Sequence, residues 1–99
     1  MIYVHKPNSK KYIEIEREAF RRGATKFGLS TKGDYKYYVV HGGRTIHFGY
    51  RHMSDYSWHN DLERRNRYRA RHGKIKTKSG ELAYLDKNRA SYWSWHLLW

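Results

Sequence analysis

No cysteine occurs among the 99 residues, and proline occurs once. The first absence removes both a disulfide framework and a thiolate metal site, the usual staples of a small secreted domain, so the fold must rest on packing. Long apolar runs are also missing. No uncharged stretch approaches the roughly 20 residues of a membrane span, and Met1 to Lys11 holds no apolar run of signal-peptide length. Nor does any segment join a basic face to a sustained apolar face as an interfacial helix would. These absences predict a soluble protein with no membrane partner. There is no Gly-rich phosphate loop ahead of a helix and no serine in a nucleophile elbow, which leaves the ordinary enzyme classes without support and no cofactor expected. Acid is scarce as well: 9 Asp and Glu face 21 Lys and Arg, a formal charge of +12. That imbalance exceeds what solubility needs and attracts phosphate-rich partners.

What the chain does contain is rings. A mean hydropathy of -1.08 would suit disorder, but an aromatic fraction of 17% supplies the large side chains that a disordered chain lacks. The length is near the commonest domain size, so residues 1–99 are read as a single basic domain. A short strand fits Ile2 to His5, followed by a turn around Pro7. From Lys11 to Arg22 both periods fit: Ile13 and Ile15 alternate with Tyr12, Glu14 and Glu16, while Ile13, Arg17 and Phe20 stand at helical spacing. Gly23 closes the segment either way. Lys26 to Ser30, Tyr35 to Val40 and Arg44 to Phe48 read as three strands of an antiparallel meander, joined by a Lys-Gly-Asp turn and by Gly42-Gly43, with Gly49 ending the last. One helix is predicted over Ser54 to His72, capped by Ser54 or Asp55 and stopped by Gly73. After it, Lys74, Lys76 and Lys78 alternate with Ile75 and Thr77 in an exposed strand or basic loop. The fold class is therefore α+β, a small antiparallel sheet packed by one basic helix and an aromatic C-terminal segment.

The chemistry concentrates in Arg64-Arg65-Asn66-Arg67-Tyr68-Arg69-Ala70-Arg71-His72. On a helix, Arg64, Arg67 and Arg71 fall within about one sixth of a turn of each other and form one guanidinium row. Arg65 and Arg69 make a second row beside Trp58 and Leu62, where their stems can cover an apolar seam while the heads stay wet. The planar fork of arginine suits phosphates and base edges alike. The bland alternative pairs these arginines with Glu14, Glu16, Glu18 and Asp61, but acids are too few to neutralise the helix. The expected nucleic-acid contacts are Arg64, Arg65, Arg67, Arg69, Arg71, His72, Lys74 and Lys76, with Tyr68 as a stacking ring. Most other aromatics belong to the core by strand alternation, Tyr50 and Tyr68 being the best suited to exposure.

Seven histidines raise the question of a metal, yet none stands in a recognised zinc spacing. A hairpin followed by a helix has the element order of ββα-metal nucleases, with His41 as a base and His59 as a ligand, but element order alone carries no chemistry. The closing Trp93, Trp95, Leu97, Leu98 and Trp99 either complete the core or dock on a second copy of the chain.

Several fragments in order resemble a family of small basic proteins encoded by large nucleocytoplasmic DNA viruses. They are Tyr37-Tyr38-Val39-Val40, Gly43-Arg44-Thr45-Ile46-His47-Phe48-Gly49, Asp55-Tyr56 with His59, Asp61 and Arg64-Arg65, then Tyr68, Arg71-His72 and Tyr92 to Trp99. The resemblance spans about residues 35 to 99. It implies a viral origin, expression in an infected cell and incorporation into the virion, and it brings no known activity. The expected function is non-enzymatic binding of viral nucleic acid, DNA before RNA, for packaging, condensation or replication support. The alternatives are a minor virion protein whose basic helix contacts acidic surfaces of viral structural proteins, and a metal-dependent nuclease.

Overall fold

The computed structural model describes residues 1–99. Helix α1, Lys10–Arg21, opens where the Ser9 hydroxyl accepts the Tyr12 N–H at 3.2 Å, a side-chain cap that settles the two-period ambiguity in favour of helix. The stripe that packs is Tyr12, Ile15 and Ala19, all buried. Ile13, Arg17 and Phe20, the spacing read from the sequence, form the outer face instead. Gly23, with φ +102°, takes the left-handed step after the helix.

Three strands follow, β1 Lys26–Leu29, β2 Tyr35–His41 and β3 Arg44–Tyr50, antiparallel in the order β1-β2-β3. Gly42 and Gly43, both at positive φ, make the two-residue turn between Arg44 and its partner His41. The register sets Phe27 beside Val39 and Val39 beside Ile46, with Tyr37 opposite Phe48, so one face of the sheet is a continuous apolar floor. Strand β3 passes through Gly49 rather than ending there, and a Cβ at that position would stand 2.9 Å from Leu98 Cδ1. Glycine lets the tail close onto the strand. The strand expected at Ile2 to His5 does not form: the segment is tied to the sheet's end by the Tyr3 N–H to Arg51 oxygen and by the His5 N–H to the Tyr37 hydroxyl, with no ladder.

The helix expected over 54–72 is two helices, α2 Tyr56–His59 and α3 Leu62–His72. Asn60 adopts the left-handed conformation (φ 52°) and the Asp61 carboxylate accepts the Glu63 and Arg64 N–H groups, which starts α3 afresh. Asn tolerates that backbone and Asp is a strong cap, so the two together end one helix and begin another. Beyond α3, Lys76 makes an isolated bridge to Leu82 in an otherwise irregular basic loop, and a single 3-10 turn occupies Ala83–Leu85. Helix α4, Ala90–Leu97, then packs on β3 and α1. Trp93 is wholly buried, its Nε1–H donating to the Lys87 oxygen at 2.9 Å, and Tyr92 and Leu98 join it in the core. Of the two roles read for the tail, core completion is what the fold shows. No helix is long and apolar enough to cross a membrane.

One buried element is ionic. Lys36 Nζ donates to Asp55 Oδ2 at 2.5 Å with side chains only 1% and 3% exposed, and the other Asp55 oxygen accepts both the Ser57 N–H (2.9 Å) and the Ser57 hydroxyl. Burial pushes the Lys36 pKa down and Asp55 opposes it. Removing one partner of such a pair leaves an uncompensated charge, whereas removing both charges need not. Lys36→Met is therefore expected to cost about 3 to 5 kcal/mol in urea unfolding, and Lys36→Met combined with Asp55→Asn to recover a large part of it. Equal losses in the single and double variants would show that the pair's charge is not what matters.

Candidate nucleic-acid interface

Helix α3 has eleven residues of which only Leu62, Tyr68 and Ala70 are apolar, so its attachment rests on few side chains. Tyr68 is the anchor. Its ring stacks on Trp99 at 4.3 Å and 6° and on His72 at 4.0 Å and 21°. Burial raises its hydroxyl pKa to about 12. At 5% exposure it holds the helix to the tail and has no face left for a base, contrary to the expectation from sequence.

The two arginine rows have different fates. Arg65 lies over the Tyr56 ring at 4.9 Å and Arg69 over Trp95 at 5.3 Å, while an Arg69 Nη2–H donates to the Trp99 oxygen at 3.2 Å. Both Nε atoms are buried without an acceptor in the protein, and burial lowers the Arg69 pKa. Both side chains are half-buried and clamp α3 onto α2 and α4 through cation–π contacts.

Arg64, Arg67 and Arg71 do share a surface. With Met53, Ala70 and Trp99 they line a depression of about 360 Å³. Arg64 donates to the Ser54 hydroxyl at 3.3 Å, Arg67 to Glu63 at 3.1 Å across a well-exposed pair, and Arg71 makes no ion pair. Of the acids that the bland reading assigned to these arginines, Glu16 makes no ion pair and the other three are used elsewhere. Glu14 pairs with Lys11, Glu18 with Arg21 and Arg22, and Asp61 caps the helix. Only Glu63 offsets the row, and an exposed i,i+4 pair holds its partner by a few tenths of a kcal/mol, about 0.3 to 0.5. Lys74 and Lys76 follow, exposed, in the loop after α3.

Met53, Ser54 and Trp99 were not foreseen as parts of this surface. Ser54 and Met53 lie in the connector after β3, whose conformation no local pattern specifies, and Trp99 arrives only because the tail folds back. Tyr50 is 53% exposed, as expected of it.

The histidines proposed for nuclease chemistry sit in separate settings. His41 ends β2 near Gly23 and the Trp93 ring, and His59 Nδ1 accepts the Asp61 N–H at 2.9 Å. No three His, Asp or Glu side chains converge as a metal site requires.

Residues 25–72, from β1 through α3, match the model of a family of unknown function (DUF5754). No curated protein and no solved structure matches the chain.

His72 is better described as a ring than as a cation. Burial, with Arg71 beside it, holds its pKa below the ordinary 6.5, and burial does the same for His5, His59 and His96. Depressed histidine pKa values mean that the unfolded chain binds protons first, so stability is full above the unfolded value of 6.5 and is lost as pH falls below it. The melting temperature is expected to drop between about pH 7 and about pH 5, and His72→Phe, which keeps a stacking ring but cannot titrate, to flatten part of that slope. An unaltered slope in His72→Phe would refute the assignment for this residue.

Proposed function

We propose that this protein binds nucleic acid, DNA before RNA, through the Arg64–Arg67–Arg71 face, and that it holds the polymer without catalysing a reaction on it. The observation that carries this reading is the concentration of guanidinium groups on one surface: Arg64, Arg67 and Arg71 line a single depression, and of the three only Arg67 has a carboxylate partner, Glu63. A helix with such a row repels itself unless anions intervene, and guanidinium forks grip phosphate oxygens in bidentate fashion. Arg71 of the row lies in the last turn of α3, where positive charge is favoured by the helix dipole. In the viral setting that the sequence resemblance implies, this binding serves packaging, condensation or replication support inside the infected cell or the particle.

The test is a salt titration of binding to duplex DNA. If Arg64, Arg67, Arg71, Lys74 and Lys76 each release counterions, log affinity should fall against log salt with a slope of about -4 to -5, at roughly 0.9 per contact. Changing Arg64, Arg67 and Arg71 together to Gln should weaken binding and reduce that slope by about 3 while the circular dichroism spectrum is kept. Unchanged affinity in the triple variant would overturn the proposal, and a flat salt dependence would favour an acidic protein surface as the partner.

A further inference from the structure

Resting on the nucleic-acid reading above, we infer that the protein takes its ligand as a single strand, seating an unpaired base in the groove between Tyr35, Tyr50, Met53 and Trp99 next to the arginine row. A second depression, of about 380 Å³, is walled by Tyr35, Gly49, Tyr50, Met53, His72 and Trp99, and it shares Met53 and Trp99 with the arginine-lined one. The two depressions adjoin at Met53 and Trp99, with rings and a thioether in one and guanidinium groups in the other. The volume of each lies in the range of about 300 to 1,000 Å³ that small-ligand sites occupy.

Charge sets the direction in which a strand would lie. Asp34, paired with His52 at 3.1 Å, is the carboxylate on the aromatic end, while Arg64, Arg67 and Arg71 line the other. Phosphates are drawn to the arginines and repelled by Asp34, which leaves the ring-lined end for a base. Tyr50 is 53% exposed and Tyr35 38%, so both have surface to offer, whereas the groove's rigid backing is the Trp99–Tyr68–His72 stack described above. Exposed rings beside cations bind bases of any sequence through their π faces. A duplex offers no such faces, since its bases are stacked on one another and show only their edges in the grooves.

Fluorescence anisotropy with an oligothymidylate of about 12 nucleotides, an abasic oligomer of the same length and a duplex of the same length tests this at one salt concentration. The abasic oligomer carries the same phosphates and no bases. The wild-type protein should bind the oligothymidylate about tenfold or more tightly than the abasic oligomer, and more tightly than the duplex. Tyr50→Ala should erase the preference over the abasic oligomer while leaving affinity for that oligomer unchanged, and Tyr50→Trp should keep it. Equal wild-type binding of the base-bearing and abasic strands, or an equal loss for both in Tyr50→Ala, overturns base seating and leaves the arginine interface standing. Full binding of all three ligands by the Arg64→Gln, Arg67→Gln, Arg71→Gln variant overturns the interface itself, and so does failure of the wild-type protein to bind any of them.

Discussion

Lys36 and Asp55 meet inside the protein, and the path of the chain after the sheet depends on that meeting. Lys36 stands in β2 and Asp55 is the N-cap of α2, so the ion pair pins the first residue after the β3 connector to the middle strand. The same carboxylate orders Ser57, whose N–H also reaches the Leu98 oxygen, and Ser57 in turn meets His5 Nε2 at 3.0 Å. One acid therefore gathers the N-terminal segment, the sheet, α2 and the tail. In a low-dielectric interior neither charge can be left alone, and this makes the arrangement specific even where it adds little net stability.

Around that pin the core is built from rings more than from aliphatics. Tyr12, Phe27, Tyr37, Phe48, Tyr92 and Trp93 are half of the buried cluster by number and the bulk of it by volume, since Ala19 and Ala24 are among the six aliphatic members. Large rings cover much area per residue, which suits a chain carrying 30% charged residues. Where rings meet cations, charge becomes part of the packing. Arg65 and Arg69 are held over Tyr56 and Trp95, and the division between these clamping arginines and the free row of Arg64, Arg67 and Arg71 follows from which side of α3 faces the tail.

The three-stranded meander was legible in the sequence because alternation, β-rich Tyr and Val, and Gly42-Gly43 all pointed the same way. The guanidinium row was legible for a similar reason, since spacing on a helix is a local property. What escaped was set by partners distant in sequence. The break at Asn60-Asp61 was hidden by strong helix formers on its C-terminal side. The fate of Tyr68 depended on Trp99, 31 positions away, and that of Lys36 on Asp55. A lysine in a strand reads as solvent-facing until its acid is known. Helix α1 was ambiguous because Ile13 and Ile15 suggested alternation, and the Ser9 cap, a single hydroxyl, decided it.

The bare backbone of Gly49 admits Leu98 to within contact of β3, and the next residue, Trp99, forms a wall common to both depressions. Cohesion of the core and occupancy of the depressions are thereby thermodynamically linked. Anything that settles against Trp99 holds the tail in its docked position and so favours the folded state over the unfolded one. Conversely, a bulkier residue at position 49 would prise the tail away and loosen the arginine-lined surface, which Gly49 itself does not line.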